Sequence, residues 1–171
     1  AVTMTVDAAL ALACRELNIG FFSRVERGRP WVRLKVAASL DGRTALPDGT
    51  SQWITGPEAR ADGHAWRRRA GAVLSGIGTV LEDDPRLDVR MVATAIQLQR
   101  IIVDSHLMTP VTARVMQAPG RVAIYSAADE PSRAAALAAA GADIRPCPGA
   151  HGKVDLPAML ADLARRGINE L

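Results

Sequence analysis

At 171 residues, 49% hydrophobic and 23% charged, the chain has the composition of one globular domain, or of one domain and a fragment, and not of a disordered segment. A net charge of +3, spread evenly, excludes the concentrated basic footprint of a nucleic-acid binder. No apolar run reaches the ~20 residues of a membrane span, and the two cysteines, Cys14 and Cys147, stand outside any C-x-x-C pair, so neither a zinc site nor a redox dithiol is expected and a reducing cytoplasm without a signal peptide is.

Residues 6–17 carry apolar side chains at helical spacing, closed by Asn18-Ile19-Gly20. Residues 21–30 are polar and end in Gly28-Arg29-Pro30, which reads as a linker. Residues 31–39 form the first expected strand, with Trp31, Arg33 and Lys35 on one face and Val32, Leu34 and Val36 on the other. Lys35 and Lys153 are the only lysines, and a cation inside an apolar run needs an acidic or anionic partner. Turns follow at Asp41-Gly42 and Pro47-Asp48-Gly49. Thr55-Gly56-Pro57-Glu58 predicts a helix start, with Thr55 as N-cap and Glu58 closing a capping box, and the helix runs to about residue 70.

Residues 72–75 read as a short buried strand, and Gly76-Ile77-Gly78-Thr79 leads into a helix ended by Asp83-Asp84-Pro85. Strands are then expected at 100–104, 121–126 and 142–145, helices at 130–140 and 155–166, and a further strand from 168. Strands alternating with helices define an α/β protein with a mostly parallel sheet.

Ligands of such sheets bind beyond the carboxyl ends of the strands. That rule selects residues 39–43, 75–79, 104–105 and Ser126. The Gly76-x-Gly78-Thr79 turn offers backbone N–H groups for a phosphate, without the third glycine of a dinucleotide fingerprint. Asp83 and Asp84 are either turn chemistry ahead of Pro85 or a carboxylate that donates a proton or anchors a substrate. Arg67, Arg68 and Arg69 read as a solvated helix face, and Arg90 suits bidentate phosphate capture. Trp53 is a core anchor or a stacking surface; His64, His106 and His151 have no metal spacing.

Arg29-Pro30-Trp31-Val32-Arg33-Leu34-Lys35, Ala38-Ser39-Leu40-Asp41-Gly42-Arg43-Thr44-Ala45, Ser51-Gln52-Trp53-Ile54-Thr55 and Gly76-Ile77-Gly78-Thr79-Val80-Leu81-x-Asp83-Asp84-Pro85-x-Leu87 together resemble the reductase domain of the bifunctional riboflavin-biosynthesis deaminase/reductases. The resemblance implies a dihydrofolate reductase-like sheet. It implies residues 1–29 as deaminase tail and linker and 30–171 as a reductase domain lacking its C-terminal strands. It also implies a homodimer through that domain. The activity implied is NADPH-dependent reduction of the ribosyl group of 5-amino-6-(5-phosphoribosylamino)uracil to ribityl. Matching positions place Ala37, Trp53, Gly76, Gly78, Thr79, Asp83 and Ser105 at the cofactor, and Ser51, Arg67, Leu87 and Arg90 at the phosphoribosylaminopyrimidine substrate. Lys35 and Asp83 match the reacting centre, where opening of the sugar ring wants a proton at the ring oxygen. His106 stands where relatives often have Arg, at the cofactor's 2′-phosphate. The zinc signature of the deaminase half is missing, so no metal is expected. Two other readings of the same segments are a dihydrofolate reductase-like pteridine reductase and a non-catalytic cofactor-binding fragment. The arginines and Ser51 weigh against the pteridine, which has no ribose phosphate to hold.

Overall fold

The computed structural model describes residues 2–171. Four strands, β1 (Ala72–Gly76), β2 (Gln99–Val103), β3 (Val122–Ser126) and β4 (Ala142–Pro146), form a wholly parallel sheet in the order β1-β2-β3-β4. Each crossover passes through a helix: α4 (Ile77–Asp83), α5 (Arg114–Gln117) and α6 (Pro131–Ala139). Parallel strands covered on both faces lose the apolar–polar alternation, and all five residues of β3 are buried. Alternate residues divide between two cores. Ile102, Val122 and Ile124 pack with Val80, Leu87, Val115 and Leu137 on one face. Ile101, Ala123 and Tyr125 pack with Met159 and Leu163 of α7 (Leu156–Arg165) on the other.

The final residues extend the sheet beside β1. Gly71 and Ala72 donate backbone N–H groups to the Glu170 carbonyl (3.0 and 3.3 Å). On the far side of that segment Trp31 bridges Glu170 in parallel, and Arg33 N donates to Leu171 O at 2.8 Å. The strand expected over 31–39 is therefore realised only in its first three residues. Beyond Arg33 no backbone bond joins the segment to a neighbour until the Ser39 N to Arg43 O turn, and Val32, Leu34 and Val36 are exposed. An alternating pattern without a ladder partner does not make a strand.

The expected linker over 21–30 is instead mostly helical. After α1 (Ala8–Leu17), α2 spans Ile19–Arg27 and stops at Gly28 in the left-handed region (φ 64°). Its charged residues find partners outside the helix: Glu26 pairs with Arg15 of α1, and Arg24 Nε donates to Asn169 Oδ1 at 2.6 Å. In α3 (Pro57–Arg69) the N-cap is Gly56, with no side-chain cap bond, so the Thr55–Glu58 capping box does not form. Pro57 at the first turn supplies the start, since its fixed φ suits that position. The helix α5 was not anticipated; four residues are too few to show a period. A 3-10 turn at Ala150–Gly152 was likewise not anticipated, and the remaining helices and the four sheet strands lie within two residues of expectation.

Candidate functional site

The carboxyl ends of the strands meet at one edge. Gly76 ends β1 in register with Val103 of β2. After β2, Asp104 is fully buried and its Oδ2 accepts from both the amide and the hydroxyl of Thr109, each at 2.7 Å. Its Oδ1 is buried and has no partner. The next carbonyl, Ser105 O, accepts from Ala127 N and Ala128 N after β3 (3.1 and 2.8 Å), and Ser105 Oγ accepts from Val154 N at 3.2 Å. Of the positions expected at a cofactor, Gly76, Gly78, Thr79 and Ser105 therefore belong to this edge or to the helix opening from it. A Cβ added at Gly76 or Gly78 meets nothing within 4 Å, so the backbone there is approachable. Ala37 and Trp53 lie elsewhere, on segments with no backbone bond to the sheet. Trp53 is 71% exposed, with the Arg60 guanidinium 4.4 Å from its ring centroid. Ser51, in the same loop, and His106 are exposed.

A second cluster brings three of the four substrate positions together. α3 carries His64 and Arg67, which lie on one face at helical spacing. Opposite them runs the stretch after α4, turned by left-handed Asp84 (φ 40°) and Leu87 (φ 54°). Arg67 Nη1 donates to Asp88 O at 3.3 Å, and the Arg90 amide donates to His64 Nδ1 at 3.4 Å. Asp88, 2% exposed, accepts from Arg86 Nε on Oδ2 (2.9 Å) and from Arg90 Nη1 on Oδ1 (2.8 Å). Burial pushes the Asp88 carboxyl up, but the hydrogen bonds and charges of Arg86 and Arg90 outweigh it and hold it below the usual carboxylate range. For His64, burial and then the charges of Arg67 and Arg90 depress the pKa, so the imidazole stays neutral. Burial, followed by the Arg90 charge, also lowers the pKa of Arg67. Leu87 is a core residue, packed with Val80 and Ile102. Ser51 makes no hydrogen bond to this cluster.

Arg100, in β2, completes the charge distribution. It is 1% exposed, donates from Nη2 to Gly120 O (2.7 Å), and leaves Nε and Nη1 without partners. Burial lowers its pKa and the Asp88 charge works against that. Two guanidiniums, Arg86 and Arg90, thus share one carboxylate, and a third, Arg67, is held on the backbone carbonyl of the same residue, which leaves the cluster short of negative charge.

The expected meeting of Lys35 and Asp83 does not occur: both are exposed, and among the described residues neither forms an ion pair within 4.0 Å. Lys35 sits past Arg33, where the ladder has ended and the segment is open to solvent, so it needs no buried counter-ion. Of the three arginines ending α3, Arg68 and Arg69 are exposed, as expected of a solvated face, and Arg67 is half-buried. Arg67 holds Asp88 O, Arg68 reaches Ala93 O at 3.4 Å, and Arg69 pairs with Glu170 at 3.2 Å. Sequence reasoning missed Arg86, Asp88 and Arg100. The alternation Arg86-x-Asp88-x-Arg90 and a lone arginine in the apolar run Gln99-Arg100-Ile101-Ile102-Val103 were the available signals.

A parallel sheet covered on both faces, with an approachable glycine turn at its carboxyl edge, defines an α/β domain, and an arginine cluster stands between α3 and the stretch that follows α4. Residues 30–171 match the family described as RibD C-terminal domain, and the chain belongs to that family, as its motifs led us to expect. Riboflavin biosynthesis protein RibD of Actinobacillus pleuropneumoniae is 34% identical over 168 residues, 97% of this chain and 44% of that protein. RibD of Escherichia coli is 44% identical over 118 residues, 61% of this chain and 32% of that protein. Among solved structures, the deaminase/5-amino-6-(5-phosphoribosylamino)uracil reductase of Thermotoga maritima aligns with a TM-score of 0.77 at 28% identity over 94% of this chain and 43% of its own. Acinetobacter baumannii RibD gives 0.75 at 36% identity over 91% and 42%. The Saccharomyces cerevisiae reductase Rib7, at 18% identity and a TM-score of 0.61, shares the fold. The chain spans less than half the length of the RibD proteins it matches.

Proposed function

We propose that the chain is the reductase domain of a riboflavin-pathway protein and reduces the ribosyl group of 5-amino-6-(5-phosphoribosylamino)uracil to ribityl with NADPH. The observation that carries this reading is the Asp88 cluster: Arg86 and Arg90 share one carboxylate, Arg67 is held on the backbone carbonyl of the same residue, and a sugar phosphate supplies the charge the three guanidiniums lack. Family membership agrees. In this reading residues 1–29 are the tail and linker of a preceding domain, and 30–171 the reductase domain. A cytoplasmic homodimer through the latter is part of the same proposal, with the exposed Val32, Leu34 and Val36 as apolar surface for it. Among the described residues no helix is long and apolar enough to cross a membrane.

The cofactor's phosphates fit the open backbone at Gly76 and Gly78, with Thr79 and Ser105 beside it and Ala37, Trp53 and Asp83 as further contacts. Bound NADPH would supply the hydride. The chain's own task is at the sugar. As the bond from C1 to the ring oxygen breaks, its electron pair goes to that oxygen, which takes a proton, while the exocyclic nitrogen lone pair forms C1=N. Lys35 or Asp83 is our candidate donor of that proton, each acting singly. Arg67 and Arg90 hold the phosphate, and Ser51 and Leu87 border the substrate.

Ribose 5-phosphate titrated into the chain should bind at least tenfold tighter than ribose, and Arg67→Ala or Arg90→Ala should each remove about tenfold, the value of a charge-assisted bond of roughly 1.5 kcal/mol or more. Equal affinity for ribose and ribose 5-phosphate overturns the reading. NADPH oxidation with dihydrofolate but not with the ribosylaminopyrimidine would establish the pteridine reductase instead.

A further inference from the structure

Arg86, Asp88 and Arg90 alternate along one stretch of chain, and the structure draws both arginines onto the same buried carboxylate, one on each oxygen. Asp88 is nearly inaccessible, whereas the side chains of Arg86 and Arg90 are 40% and 52% exposed. Each arginine gives Asp88 one of its five N–H donors, and the others remain for a ligand. The main chain is fixed as well: Asp88 O takes a bond from Arg67, and the Arg90 amide is set against His64. Long, exposed arginine side chains normally lose much rotamer freedom when they close on an anion. A buried carboxylate that restrains them beforehand moves that loss out of the binding step.

We propose that Asp88 is a positioning residue of the phosphate subsite, holding Arg86 and Arg90 toward the ligand, and that Arg86 is the third guanidinium of that subsite beside Arg67 and Arg90. This rests on the reading of Arg67 and Arg90 as phosphate-holding residues. Its signature is a sign that simple charge counting gets wrong. Removing a carboxylate from beside an anion should tighten binding on Coulomb grounds; removing a positioning residue weakens it.

The test is calorimetric titration of ribose 5-phosphate into the wild-type chain, Arg86→Gln, Asp88→Asn, Arg90→Gln and the Asp88→Asn/Arg90→Gln double variant, at one low salt concentration, with folding checked by circular dichroism. Arg86→Gln and Arg90→Gln should each lower affinity about tenfold. Asp88→Asn should lower it about tenfold too, and that loss should shrink to about threefold when Arg90 is already glutamine, because Asp88 acts through its arginines. Wild-type or tighter binding by folded Asp88→Asn, or fully additive losses in the double variant, overturns the positioning role and leaves Asp88 as a charge-balancing partner of Arg86 and Arg90. Unchanged affinity in Arg86→Gln overturns the third guanidinium, and it decides the matter if Asp88→Asn does not fold. No binding by the wild-type chain, or indifference to both Arg67→Ala and Arg90→Gln, overturns the phosphate reading itself and this proposal with it.

Discussion

Thr109→Val probes the loop that carries Ser105 at the carboxyl edge of the sheet. Thr109 is buried and sends two bonds of 2.7 Å to one oxygen of Asp104, from its amide and its hydroxyl. Valine keeps the volume and puts a methyl where the hydroxyl was, so the amide bond survives and the hydroxyl bond is lost. A hydrogen bond to a charged group contributes about 1.5–3 kcal/mol. Asp104 is fully buried and its other oxygen already lacks a partner, so no second donor compensates, and the loss should fall at about 2–3 kcal/mol. For a domain of this size each kcal/mol moves Tm by about 2–4 °C, which gives a fall of about 4–12 °C. Thr109→Ser is the control: it keeps the hydroxyl, drops one methyl, and should cost about 1 kcal/mol. Urea unfolding with matched m-values is the assay. Thr109→Val within about 0.5 kcal/mol of wild type, or less damaging than Thr109→Ser, refutes the claim that the buried carboxylate organises this loop.

Three further outcomes follow from the packing. His64 has a depressed pKa in the folded chain, while the unfolded chain takes up its proton near pH 6.5, so its contribution to stability is fully present above that pH and is lost below it; urea midpoints measured from pH 7 to 5 should fall less steeply in His64→Asn, and an unaltered slope contradicts the assignment. Tyr125, the only tyrosine, is buried with its hydroxyl donating to Asp162 Oδ2 at 2.7 Å, and burial and that bond raise its pKa. Its phenolate absorbance should appear only as alkali unfolds the chain, with stability falling as pH rises past about 10, the unfolded value; reversible titration near pH 10 in folded protein contradicts this. Leu163→Ala, in the α7 core against Ile101 and Met159, should cost about 2–5 kcal/mol in urea unfolding, and a cost below about 1 kcal/mol would mean that α7 does not seal this face.

The sheet was legible because its strands are covered on both faces. Short apolar runs such as Val122-Ala123-Ile124-Tyr125 stand out between polar and glycine-bearing segments, and the glycine turns at 141 and 167 mark helix ends by their positive φ. What failed to show was whatever depended on a distant partner. Residues 31–39 have the pattern of a strand, but pairing with 169–171 decides how many of them become one. Residues 21–30 look like a linker by composition, yet Arg24 and Glu26 find partners in Asn169 and Arg15 that no local window contains. Arg67 and Arg90, expected at the substrate, stand out by motif, whereas Asp88, which joins them, stands in the sequence as one acidic residue among 18.

A cation in an apolar run needs a counter-charge or hydrogen-bond acceptors only where the run is buried. Lys35 escapes the requirement because its segment leaves the sheet and reaches water. Arg100 lies buried within β2 beside Ile101 and Ile102, and among the described residues it finds a backbone carbonyl, Gly120 O, and no carboxylate within 4.0 Å. The two buried acids of the domain then differ in kind. Asp104 is served by uncharged donors of its own loop, which fixes local geometry and leaves no charge to exchange with a ligand. Asp88 is served by two cations, both on exposed stems, so its surroundings stay electropositive and can take a further anion without disturbing the core. That difference is why the phosphate is assigned to the arginine cluster beside α3, and why the carboxyl edge of the sheet, with its rigid loop and approachable glycines, is left for the cofactor.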